Sequence, residues 1–155
     1  MEDTLRRMRE KRDDRGFTLI ELLVVVVIIG VLVAIAIPMY LNYRKGAANK
    51  SAESDIRGAI SAVEQFYTDN ANQFPATVTS AAGTNLTFPA IGAGTPQTAT
   101  VSPGNTLGFE NNGTWYVLCA ENADGDQVYF YNSKVGGAVK KHAAADVAAC
   151  LAAEN

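Results

Sequence analysis

Between Leu22 and Leu41 the chain carries no charged residue. As a helix rising about 1.5 Å per residue, a run of about 20 residues spans about 30 Å, the thickness of a bilayer core. One carboxylate, Glu21, stands at the head of this run, just after Phe17, Thr18, Leu19 and Ile20. An ionised carboxylate is costly in hydrocarbon, so a lone one near the start of a membrane helix points to a specific partner. The rest of the chain is rich in Thr, Asn, Gly and Ala. It can bury only a small core, and something must supplement that core.

Charge is distributed unevenly around the run. The first sixteen residues hold six Lys/Arg and five Asp/Glu, and the remainder seven and eleven. A basic-enriched leader before an apolar helix fits retention in the cytoplasm. A mildly acidic exported domain argues against a large nucleic-acid surface. An ordinary secretory signal is cut after its apolar region, at small residues. Here the small residue, Gly16, precedes the apolar region, so cutting there leaves the helix on the mature protein. An uncleaved signal anchor is the bland alternative, but it leaves Gly16, Phe17 and Glu21 unexplained.

The two cysteines, Cys119 and Cys150, lie in the polar C-terminal half. In an oxidising exported location an even pair reads as a disulfide. Its loop of about 30 residues would contribute roughly 3–4 kcal/mol in the loop-entropy model. Two free thiols are the alternative. A metal site needs more ligands than two cysteines and the lone His142 supply.

Residues 17–69 read as one long helix with Gly30 and Pro38 as breaks, because an interior proline removes a hydrogen bond and kinks the axis. A bend or local melting is expected around residues 30–40. Further along, Ala52, Ile56, Ala59, Ile60, Val63, Phe66 and Tyr67 recur at three- and four-residue steps, one apolar stripe at helical period. Glu53, Asp55, Arg57, Ser61, Glu64 and Gln65 lie mostly off it. Asp69, Asn70 and Asn72, followed by Pro75, form a stop signal.

Residues 75–105 read as a long irregular connection. Strands are expected at Thr106–Glu110 and Thr114–Ala120, joined through Asn111-Asn112-Gly113, a strong hairpin signal. A third is expected at Gln127–Asn132 and a fourth at Val135–Lys141, weakened by Gly136 and Gly137. The Ala-rich stretch 143–152 suits a short closing helix. Asp124, Asp126 and Glu121 invite a calcium reading, but their spacing matches no full loop motif and a polar turn is the better account. Lys140, Lys141 and His142 read as a solvated strand end. Nothing forms a nucleophile–base set or phosphate loop, so neither an enzyme nor a cofactor is expected.

Gly16, Phe17, Thr18, Leu19, Glu21 and Pro38 fall where the processing and methylation motif of type IV prepilins has them, and the chain resembles that family. The resemblance is specific over residues 16–38 and extends to the rest only in outline. It implies an α+β fold, with a long N-terminal helix whose hydrophobic half protrudes. The amphipathic half packs on a small antiparallel sheet with a disulfide-closed C-terminal region. The implied organisation is a leader (1–16), a transmembrane and filament-core helix (17–45) and a globular head (46–155). The head comprises an amphipathic helix (46–70), a variable loop (71–105) and the sheet with the C-terminal region (106–155).

It further implies that a prepilin peptidase cuts between Gly16 and Phe17 and methylates the amine of Phe17. Glu21 then meets that amine on a neighbouring subunit, and the chain becomes a homopolymer. The implied partners are an inner-membrane platform protein and an assembly ATPase. The implied location is the inner membrane as a single-pass protein, then an extracellular pilus serving adhesion, twitching motility or DNA uptake. The same motif fits a pseudopilin of type II secretion, and a DNA-binding minor pilin is a further, weaker reading.

Overall fold

A computed structural model of the chain describes residues 17–154. The leader, including Gly16, lies outside them. The chain divides into two units, one ending at Tyr40 and one beginning at Leu41. A single helix, α1 (Leu19–Asp69), supplies residues to both. It continues as helix through Gly30 and Pro38, without the local melting their propensities lead one to expect. Proline withdraws one backbone donor, and a 51-residue helix tolerates that single loss.

In the first unit every apolar side chain of α1 is exposed. In the second, α1 buries Ala52, Asp55, Ile56, Ala59, Val63 and Phe66. That is the expected stripe with one addition. Asp55, which period alone places off the stripe, is only 8% exposed. It keeps its place because neutral donors replace water. The Ser102 amide (2.7 Å), the Ser102 hydroxyl (2.9 Å) and Asn105 Nδ2 (2.6 Å) all donate to its carboxylate. A buried polar group is tolerable when its hydrogen bonds are made inside the protein.

α1 stops where the sequence signals it. Ala71 and Asn72 adopt φ of 54° and 57°, and the Asn72 amide bonds back to the Tyr67 carbonyl. Buried Asn70 donates to the carbonyls of Phe66 and Thr95 and accepts from the Ile91 amide, which ties the helix end to the following loop.

Seven strands follow: β1 (Val78–Thr79), β2 (Leu86–Phe88), β3 (Gln97–Ala99), β4 (Asn105–Asn111), β5 (Tyr116–Asn122), β6 (Val128–Asn132) and β7 (Lys140–His142). A short helix, α2 (Val147–Ala153), closes the chain, with the Asp146 side chain accepting from the Ala149 amide at its cap. The main sheet is antiparallel in the order β1-β4-β5-β6-β7, and β2 and β3 pair separately. Gly113 takes the left-handed turn conformation (φ 82°) between β4 and β5.

Two expectations gain detail. The segment 75–105 is mostly irregular, but it is not without structure or packing. It holds β1, β2 and β3, and it sends Leu86, Phe88, Ala99 and Val101 into the core. The fourth strand of the hairpin region shrinks to Lys140–His142, because Gly136 and Gly137 adopt positive φ and turn the chain instead.

Alternation along the strands sorts side chains between two faces. Tyr116, Leu118 and Ala120 of β5 join Leu107, Phe109 and the α1 stripe in one core. Val117 and Cys119 join Val128, Val147, Cys150 and Leu151 in a second. The sheet of the second unit is therefore covered by α1 on one face and α2 on the other. Gly108 lies beneath α2. A Cβ there would stand 2.7 Å from both the Leu151 and the Val147 side chains.

The disulfide Cys119–Cys150 joins the central strand to α2 across a separation of 31 residues. Replacing Cys119 by Ser is expected to lower head stability by about 3–4 kcal/mol, measured by denaturant unfolding under oxidising conditions.

Tyr116 is the hub of the first core. Its ring packs within 5.2 Å of Phe74, 5.6 Å of Phe109 and 5.9 Å of Tyr131 between centroids, and its hydroxyl donates to Glu64 at 2.7 Å. Burial, then the Glu64 carboxylate, pushes its ionisation far above the ordinary value of 10.0. The folded state therefore holds the proton more tightly than the unfolded state. That contribution is complete below pH 10 and falls as pH rises above it, at a limiting slope of about 1.4 kcal/mol per pH unit. Stability curves of the wild type and Tyr116→Phe, measured between pH 9 and 11, should converge as pH rises.

Candidate assembly site at the helix start

α1 begins at Leu19, which makes Thr18 its capping residue and Glu21 the third residue of its first turn. The Thr18 hydroxyl donates to Glu21 Oε2 at 2.7 Å, and the Thr18 amide donates to the same oxygen at 2.9 Å. The Glu21 amide donates back to Thr18 Oγ1 at 3.3 Å. This reciprocal arrangement is a capping box, which satisfies helix-start donors that have no partner within the helix. The positive end of the helix dipole also favours a carboxylate here.

Both bonds from Thr18 fall on Oε2, and among the described residues nothing donates to Oε1. Phe17, Ile20, Val24 and Val25 form an apolar surface around the carboxylate. Were this surface covered by lipid or by other helices, an ammonium group arriving there would be strongly attracted, and an unpaired charge costly.

Thr18 is the residue whose role sequence reasoning missed. The motif placed it, but its function as the clamp of Glu21 was legible only in the Thr-x-x-Glu spacing before an apolar run. Phe17 is 88% exposed and lies next to this box. Its expected bond partner, Gly16, lies outside the described residues. Gly30 and Pro38 lie within α1, and Cys119 and Cys150 are bonded in the head, so neither pair belongs to this site.

The acidic turn considered for calcium is otherwise engaged. Asp124 pairs with Arg44 at 2.7 Å and Asp126 accepts from Asn49 at 2.8 Å. Glu121 has its ionisation pushed up by burial. Among the described residues, no group of three or more His, Cys, Asp or Glu side chains is arranged to hold a metal ion.

From Phe17 to Tyr43 the large apolar side chains are between 44% and 88% exposed. Full burial of one such side chain contributes about 1.5–3 kcal/mol, so this surface is unstable in water. It requires lipid or other copies of itself. Length and composition make α1 the one helix able to cross a membrane among the described residues.

Residues 11–37 match the model of the prokaryotic N-terminal methylation motif. The fimbrial protein EcpC of Eikenella corrodens is 34% identical to this chain over 74% of the chain and 87% of that protein. Core protein G of the type II secretion system of Pectobacterium carotovorum is 41% identical over 41% of this chain and 40% of its own length. The type IV major pilin protein PilA of Myxococcus xanthus is 39% identical over 36% of this chain and 26% of that protein. The chain thus spans most of the first relative but well under half of the other two. No solved structure gives a significant match.

Membership of such a family implies polymerisation and prepilin-peptidase processing, with a course from membrane to pilus. The motif at residues 11–37, the likeness to EcpC along most of both chains and an α+β fold with a long apolar-headed helix agree: the chain belongs to the type IV pilin and pseudopilin family, whose members are structural proteins and not enzymes.

Proposed function

We propose that the chain is the repeating subunit of a type IV pilus. Prepilin peptidase cuts it between Gly16 and Phe17 and methylates the new amine of Phe17. The subunit waits in the inner membrane as a single-pass protein. An assembly ATPase and a platform protein then add it to a growing extracellular fibre that serves adhesion, twitching motility or DNA uptake. In this reading residues 17–45 form the membrane and fibre-core segment and residues 46–155 the head. Gly30 and Pro38 are the places where the helix yields when copies pack together.

The observation that carries the reading is the apolar surface of α1 around a single clamped carboxylate. Moving this surface from lipid to a bundle of identical helices changes its hydrophobic energy little, because lipid tails are as apolar as the side chains. The selection of position must therefore come from a polar contact. Glu21 and the cleaved amine of Phe17 are suited to that contact, because each is costly when left alone in hydrocarbon. Repeated contacts of one surface with a different one, without ring closure, give an open helical filament.

A pseudopilin of type II secretion is the second reading. It is favoured by the likeness to core protein G, which covers 41% of this chain. The broader likeness to a fimbrial protein, 74% of this chain, supports the pilus.

Glu21→Gln tests the assembly contact without removing the cap, since a glutamine also serves in a capping box. The variant should be processed and inserted normally, yet yield at least tenfold fewer sheared surface filaments. Mass spectrometry of wild-type filaments should find a chain beginning at methylated Phe17. Normal filament yield from Glu21→Gln refutes the charge pairing. Short periplasmic fibres in place of long surface ones favour the pseudopilin.

A further inference from the structure

Arg44 follows the last residue of the apolar run, Leu41, by three positions in α1. That places it about 5 Å beyond the run along the axis. Tyr40 and Tyr43 precede it, as aromatic residues do where a helix leaves a bilayer. A guanidinium at this level has an obvious ligand in lipid phosphate, which it grips by charge-assisted hydrogen bonds. In the structure that ligand's place is taken. Arg44 Nη2 donates to Asp124 Oδ2 at 2.7 Å, and Asp124 belongs to the turn between β5 and β6.

The turn does not depend on Arg44 for its position. Asn49 Nδ2 donates to Asp126 Oδ1 at 2.8 Å, and the Asp126 amide donates to Asn49 Oδ1 at 3.1 Å, a two-way tie between turn and helix. Asn122 holds the other side: its Oδ1 accepts from the Asp124 amide and its carbonyl from the Gly125 amide. Gly125 lets the turn approach this closely, since a Cβ there would lie 2.5 Å from Asn49 Oδ1. The hydrogen bond from Asn49 and the charge of Lys45 hold the Asp126 carboxyl below its usual range.

We propose that this turn is a built-in substitute for lipid phosphate: Asp124 occupies Arg44 and withholds it from the headgroups of the membrane in which the subunit waits. The inference rests on the membrane-inserted stage of the function proposed above. An exposed ion pair contributes little to stability, so its use lies elsewhere. A subunit whose interfacial arginine already has its anion leaves the bilayer without breaking an arginine–phosphate contact.

The test uses the full processed chain in bicelles of phosphatidylcholine, with or without one third phosphatidylglycerol, and reads the Arg44 side-chain nitrogen signals by NMR. In the wild type these signals should barely move when the anionic lipid is added. In Asp124→Asn they should move at least threefold further, while the amide signals of Asn122 and Asp126 stay in place. Equal responses in the two proteins overturn the proposal. Should the variant's turn loosen, the wild type decides alone: an Arg44 signal that tracks the phosphatidylglycerol content overturns it. A chain that does not enter the bicelles at all overturns the membrane reading itself, whereas an inserted chain with lipid-responsive Arg44 overturns only this inference.

Discussion

An ionisable group on an otherwise apolar helix is the constraint on which this molecule turns. Hydrocarbon accepts the apolar side chains from Phe17 to Leu41 but penalises the carboxylate of Glu21. The structure shows how the chain meets that cost on its own: Thr18 supplies two donors to one oxygen, and the helix start adds its dipole. Among the described residues the carboxylate is hydrogen-bonded but meets no cation. A cation is the partner it suits best, and the cleavage proposed above would create one at Phe17. In the proposed fibre the apolar surface would provide adhesion without selectivity, and the charge selectivity with little area. Each supplies what the other lacks.

The head solves a different problem. It has few large apolar residues, so it places its sheet between two helices and uses both faces of each strand. Along β5 the residues alternate between the α1 core and the α2 core. The α2 side is small and depends on the disulfide to hold a seven-residue helix that would not persist alone. The α1 side is richer in aromatics, with Tyr116 linking Phe74, Phe109 and Tyr131 to Glu64. Covalent closure on one face and aromatic packing on the other together supplement the modest core that composition allows.

Much of this was legible in the residues. The charge-free run, the apolar stripe from Ala52 to Phe66, the stop at Asp69 and the hairpin at Asn112-Gly113 are local patterns, and local patterns follow from period and propensity alone. Less legible was the stretch 75–105. Its strands are two or three residues long, below the length at which alternation can be recognised. Its buried residues, Leu86 and Phe88, are separated from the helix they pack on by loops rich in Gly, Ala and Thr. Asp55 was misplaced for a related reason: its donors, Ser102 and Asn105, lie 47 and 50 residues away, and no window of sequence shows them.

The division follows from the range of the forces. By itself the sequence determined that there is a membrane-length helix with a carboxylate at its head, where that helix ends, and that two cysteines are available to close the tail, because these depend on neighbours along the chain. Only the tertiary structure decided which side chains become cores, that Thr18 clamps Glu21, that a buried aspartate is satisfied by a distant loop, and that Arg44 is claimed by a turn 80 residues away. Those outcomes depend on hydrogen-bond geometry and close packing between segments far apart in sequence, which residue order constrains only through the completed fold.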